Sequence, residues 1–282
     1  MEQRTLISPK LDVVFKTLFV ENPDLLLNFV ASILDVPPES IHDLTVTNPE
    51  LTPEDVDGKF SRMDIKLAVD NRLMNLEIQV RNYQDYKDRA MFYWAKLFTS
   101  ELKSGYEYGS LKETITVNIL DFNLFDDRDD YYTEVIPIIK GTEEIFTDKM
   151  SIRFIELRKC KTYDKDNPLE TWLQFLNAKN EEDFEMVQSV GNEAINKAVV
   201  KIHNMSADDK MRERAWMRDM ALHDEASAIL GAKREGRAEG LVEGRLQQLI
   251  ELVKDNLLSI QDASARSNMS EAEFSKLLVV KL

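Results

Sequence analysis

The sequence predicts an α/β domain, a mixed sheet flanked by helices, followed by an all-helical C-terminal extension. Three observations carry that expectation. A period-two hydrophobic pattern runs through residues 61–81, the mark of a half-buried hairpin. Before Pro168, short β-branched runs alternate with helical patterns, as in a sheet with helices packed against it. All eight prolines lie at or before Pro168, so nothing after it interrupts helical periodicity.

In chain order, residues 12–20 and 23–34 read as two helices, with Phe15 and Phe19 in the core. The longest apolar-rich stretch, 25–34, is too short to span a bilayer and is broken by Asn28, so it reads as a core helix and no membrane partner is expected. In the hairpin, Met63, Ile65, Leu67 and Val69 alternate with Asp64, Lys66, Ala68 and Asp70. After a polar turn, Leu76, Ile78 and Val80 alternate with Asn75, Glu77, Gln79 and Arg81. Asp64, Lys66, Glu77 and Gln79 should therefore share one face. Residues 86–104 read as a helix with Met91, Trp94, Ala95, Phe98 and Leu102 on an apolar stripe; Arg89, Lys96 and Lys103 fall on another, beside Tyr93. Strands are expected at 114–120, 134–139 and 152–157.

Beyond Pro168 the pattern is helical, with one helix expected to start at Ser206 as N-cap and with Trp216, like Trp94, read as a packing residue. Residues 231–245 form a glycine-charge repeat whose Gly236, Gly240 and Gly244 would line one helical face. Two readings stay open: close approach of a second helix, giving a homo-oligomer through the tail, or a flexible connector. Residues 246–258 are amphipathic, and Ser270 with Glu273 makes a capping box for a last helix. Residues 259–278 could form a small helix-turn-helix, although Arg266 and Lys276 are its only basic residues. The domain organisation expected is a core over 1–165, a helical extension over 166–230 packed on it, and a tail over 231–282.

Totals narrow the function. Lys and Arg number 36 against 51 Asp and Glu, a net charge of −15 over 282 residues, so most of the surface should repel nucleic acid. One cysteine and three scattered histidines exclude internal disulfides and multi-cysteine zinc sites and suit a reducing cytoplasm. The opening Met-Glu-Gln-Arg lacks the basic-then-apolar pattern of a secretory leader.

The chemistry-bearing constellation is Asp64, then Glu77, one residue and Gln79. Two carboxylates on adjacent strands of one sheet face can hold a hard divalent cation such as Mg2+ or Mn2+, and a polar group two residues on can orient a water. Such a site would support metal-assisted phosphodiester hydrolysis. Spacing alone leaves open the plainer reading, solvated acids on an exposed hairpin face.

The stretches SPKLDVVFKTLF, SRMDIKLAV, NLEIQVRNY, RAMFYWAKLFTSEL, ITVNILDF and EGRAEGLVEG resemble, in similar order, the Rpn branch of the PD-(D/E)XK nuclease superfamily, the recombination-promoting nucleases and transposases. This resemblance implies a restriction-endonuclease-like core and a Mg2+-dependent DNA endonuclease with Asp64 and Glu77 as metal ligands. Gln79 would stand where the superfamily has lysine. Glutamine can only hydrogen-bond, so Lys66, two residues from Asp64 on the same face, is the candidate for the missing charge, against the reading of an ordinary surface lysine. Asp12 is a candidate further ligand or a helix-dipole partner. Arg89, Tyr93 and Lys96 are candidates for contact with the DNA backbone. The alternative is a weakly active or inactive scaffold acting through its helical tail. Residues 231–282 carry eight charges of each sign, so the excess acidity belongs to the body. DNA should bind weakly without metal and only along a local strip near Lys66, Arg89 and Lys96.

Overall fold

The computed structural model describes residues 6–47, 65–82, 85–100, 107–161 and 164–280. Asp64, the hairpin residues before it and Leu102 lie outside the described residues. Two compact units divide the chain, Met1–Asp219 and Met220–Leu282.

The first unit holds a six-stranded mixed sheet in the order β1-β2-β3-β4-β6-β5. Its strands are β1 (Leu44–Val46), β2 (Ile65–Val69), β3 (Arg72–Gln79), β4 (Glu113–Leu120), β5 (Tyr132–Val135) and β6 (Met150–Glu156). The expected hairpin is present: β2 and β3 pair antiparallel, with Ile65 opposite Leu76 and Lys66 opposite Asn75. Asp70 takes a left-handed φ of 50° at the turn, a conformation that aspartate tolerates better than most side chains. Its carboxylate accepts from the His42 and Asp43 N–H groups, both at 3.0 Å, tying the turn to the approach to β1. Then β3 runs parallel to β4, and β4 parallel to β6, because a helix carries the chain across between β3 and β4.

Alternation along the strands gives the sheet two unlike faces. Ile65, Leu67, Val69, Met74, Leu76, Ile78, Ile115, Val117, Ile119 and Ile155 enter the main core. They meet α1 (Asp12–Val20), α2 (Pro23–Leu34), α4 (Pro168–Asn177), α5 (Glu181–Gln188) and α6 (Glu193–Ala207). Phe19 and Phe29 stack at 4.9 Å between centroids, and Phe29 lies 5.3 Å from Trp172. Trp172 donates to Asn28 Oδ1 at 2.9 Å; the residue that interrupts the apolar run of α2 thereby satisfies a buried indole. Asn167 caps α4 ahead of Pro168, accepting from Leu169 and Glu170 N–H groups.

The opposite face is covered by α3 (Tyr86–Thr99). Here the expected apolar stripe is corrected. Met91 is 54% exposed and Ala95 is exposed, whereas Tyr86 and Ala90 are buried against Leu120, Phe122, Ile152 and Phe154, with Trp94 half-buried beside them. The helix buries a narrow edge because much of the sheet beneath it is polar: Asn75, Glu77, Thr116 and Asn118 are all buried.

Two further expectations need correction. Ser206 is not an N-cap. It lies inside α6, donating to Ile202 O and accepting from Ile7 N–H, while Asp208 accepts from Met211 N–H at 2.7 Å and caps α7 (Asp209–Lys254). Trp216 does not pack: it is 62% exposed. Helix α7 supplies Met211 and Ala215 to the core of the first unit.

In the second unit, the glycine repeat is helical, which removes the connector reading. Among the described residues, a Cβ at Gly231, Gly236, Gly240 or Gly244 would meet nothing within 4 Å. Leu249 and Ile250 pack with Ala263 of α8 (Ile260–Ser267) and Phe274 of α9 (Glu271–Val280). Asn268 turns the chain between α8 and α9 in the left-handed region, and the capping box forms, with Ser270 N–H donating to Glu273 at 2.9 Å and Glu273 N–H to Ser270 Oγ at 3.3 Å. No single helix among the described residues is long and apolar enough to cross a membrane.

Candidate active site beneath helix α3

Glu77 is the sixth residue of β3, on the face away from the main core, and is only 4% exposed. That burial argues against a solvated acid, since a carboxylate taken from water requires a counter-charge or donors. Helix α3 provides one. Its start is pinned over β4 by Tyr86, whose hydroxyl donates to Asn118 Oδ1 at 3.2 Å, and Asn118 donates in turn to Arg153 O at 3.2 Å. Two turns later, Trp94 Nε1 donates to Thr114 O at 2.9 Å. With the helix fixed at both points, Arg89 reaches the β3 side, its Nη2 3.6 Å from Glu77 Oε1. The same guanidinium lies 5.3 Å from the centre of the Tyr93 ring, within cation-π range.

Beside Glu77 the sheet offers more oxygen. Asn75 and Thr116 are register partners on β3 and β4. Asn75 Oδ1 and Thr116 Oγ1 are buried and have no hydrogen-bond partner among the described residues, a costly state unless a water or ligand serves them. Carboxylate, amide and hydroxyl oxygens are the donors that suit Mg2+ or Mn2+, so the residues present fit such an ion. Among the described residues, no three His, Cys, Asp or Glu side chains gather as a metal site.

The other sequence candidates fall as follows. Lys66 is exposed on β2, on the same face as Glu77 by alternation. Gln79, half-buried, ends β3, and its carbonyl accepts from Asp121 N–H at 2.9 Å. Lys96 is exposed on α3, and Tyr93 is half-buried. Asp12 stands in the first turn of α1, as the helix-dipole reading has it, and both its oxygens are engaged: one accepts from Val13 N–H and the other from Arg218 Nε, both at 2.7 Å. Lys10 and Arg158 approach Asp121 at 3.1 and 3.6 Å, which adds two basic groups next to the end of β3.

Sequence reasoning missed Asn75, Thr116, Asn118 and Arg218. The first three carried a signal: polar residues of one parity in otherwise apolar strands, matching Glu77. Arg218 carried none, because its partner lies 206 residues away. Cys160 is no nucleophile: burial first, then nearby Glu170, pushes its thiol up to about 11, so it stays protonated at neutral pH. A cavity of about 720 Å3 lined by Asp70, Arg72, Glu113 and Lys149 lies at the start of β3, the end opposite Glu77.

No curated protein and no solved structure matches the chain. A family model described as PD-(D/E)XK nuclease family transposase matches residues 9–232, taking in α1, the whole sheet, α3 and the helices of the main core but not α8 or α9. With a buried carboxylate on the second strand of its hairpin and a basic helix laid across it, the chain belongs to the PD-(D/E)XK nuclease family of transposases.

Proposed function

We propose that this protein is a metal-dependent DNA endonuclease acting in the cytoplasm in recombination or transposition. The observation that carries the reading is Glu77, buried in the sheet of a nuclease-family chain with oxygen donors and a guanidinium around it. Asp64 and Glu77 would hold Mg2+ or Mn2+. A bound divalent cation supplies charge neutralisation at the phosphate and acidity to the attacking water. Gln79, two residues from Glu77 on the same face, orients that water by hydrogen bonding, and Lys66 adds positive charge. Arg89 and Lys96, with Tyr93 between them, hold the DNA backbone along α3. Asp12 serves as a positioning residue through Arg218 rather than as a ligand, and self-association through α7 brings further copies to the DNA.

Purified protein incubated with supercoiled plasmid in Mg2+, Mn2+ or EDTA should nick it only with metal. Glu77→Gln and Asp64→Asn should each remove the activity, and nicking that survives in both variants would refute the site. The second reading, a scaffold acting through its tail, draws on Leu241 and Val242, which are 68% and 69% exposed on α7. Absence of cutting under every metal, together with tail-dependent association, would favour it.

A further inference from the structure

The pair Arg89–Glu77 joins two residues whose separate roles, phosphate contact and metal ligand, conflict as long as they touch. A guanidinium that neutralises Glu77 repels a divalent cation approaching the same carboxylate. Two contacts of Arg89 bear on how both roles would be met. At 3.6 Å the contact is longer than the 2.7–2.9 Å of a locked charge-assisted bond. By comparison Asp12, also buried, is held at 2.7 Å by Arg218. Arg89 also has a second support that does not depend on Glu77, the face of Tyr93 one turn further along α3. Residues 89, 93 and 96 follow i, i+4, i+7 spacing and so share one side of the helix. On that side Lys96 is exposed.

We propose that Arg89 is the resident counter-ion of Glu77, that it gives way when a divalent cation is bound, and that its guanidinium, still resting on Tyr93, then serves a phosphate of the DNA alongside Lys96. Burial of Glu77 is thereby compensated before metal arrives, and the protein presents its DNA-binding charge only once loaded. In a body as acidic as this one, that coupling confines DNA binding to the metal-bound state. The proposal rests on the reading of Glu77 as a metal ligand.

The test is calorimetric titration of Mn2+ into the full chain without DNA. Parent protein should bind weakly, and Arg89→Gln roughly tenfold or more tightly, as expected from removing a like charge a few ångströms away. Arg89→Lys should stay near the parent and Glu77→Gln should lose binding. Arg89→Met is a second neutral variant, and circular dichroism checks that each protein is folded. Capture of plasmid in Ca2+ should exceed capture in EDTA for the parent, with the difference much reduced in Arg89→Gln. If Mn2+ binding requires Glu77 but Arg89→Gln and Arg89→Met bind no more tightly than the parent, the counter-ion role is overturned while the metal site stands. If neither parent nor neutral variants bind Mn2+, both are overturned.

Discussion

Asp12 shows how far a single residue's role depends on a partner that the sequence does not point to. At the start of α1 it has the position of a helix-dipole acid, and in the family pattern it is a candidate ligand. In the fold it is bound by Arg218, at the near end of α7. A double-mutant cycle of Asp12→Asn and Arg218→Met, read by urea unfolding, should give a coupling energy of about 1–3 kcal/mol. Zero coupling would return Asp12 to the list of free candidates. His203 allows a second prediction at this scale. Partial burial by itself would lower its pKa, but the hydrogen bond to Glu181 Oε2, with help from the Val199 carbonyl, outweighs that and raises it above the usual 6.5. A raised histidine pKa means that the folded state binds the proton more tightly, so the added stability is fully present below the unfolded value and is lost as pH rises through the folded one. His203→Gln should therefore cost more stability near pH 5.5 than near pH 8.5. Equal urea midpoint shifts at the two pH values would contradict this.

Among the elements, α3 and α7 decide most. The sequence assigns α3 a helix, but the buried edge depends on what lies underneath. With Asn75, Thr116 and Asn118 below, the helix docks through Tyr86 and Trp94, whose polar tips reach the sheet, and leaves Met91 and Phe92, 54% and 63% exposed, outside. Trp94→Phe, which keeps the ring and loses the bond to Thr114 O, should cost about 1 kcal/mol of stability and loosen Arg89 over Glu77; an unchanged melting curve would show that the indole bond does not hold α3. In α7, glycine costs about 1 kcal/mol each relative to alanine in a helix interior, and among the described residues no atom lies close enough to require it. Gly236→Ala, Gly240→Ala and Gly244→Ala combined should raise helicity, and they should reduce self-association if a second copy packs on that face. Sedimentation of parent and triple variant separates the cases, since a gain in helicity with the sedimentation coefficient unchanged would show that association does not use the glycine face.

For the whole molecule, the net charge of −15 predicts that DNA binding is cation-dependent and falls steeply with salt. Plasmid capture by the Glu77→Gln protein should be weak, and capture by the parent in Ca2+ should drop sharply between about 50 and 200 mM salt. Strong capture in EDTA at the higher salt would mean that the acidic body does not restrict binding. The fold class, the limits of α1 and α2, the hairpin and the closing capping box were all legible from local rules: period, Pro and Gly placement, and cap chemistry act within a few residues, and the chain states them directly. What covers the polar face of the sheet, which acid meets which arginine, and whether Trp216 packs were not legible. Those depend on contacts between residues tens to hundreds of positions apart, such as Arg89 with Glu77 and Arg218 with Asp12. The sequence by itself determined that a carboxylate stands at position 77 on a half-polar strand. Only the tertiary structure decided that this carboxylate is buried and held by an arginine, because burial is a property of the element packed above it.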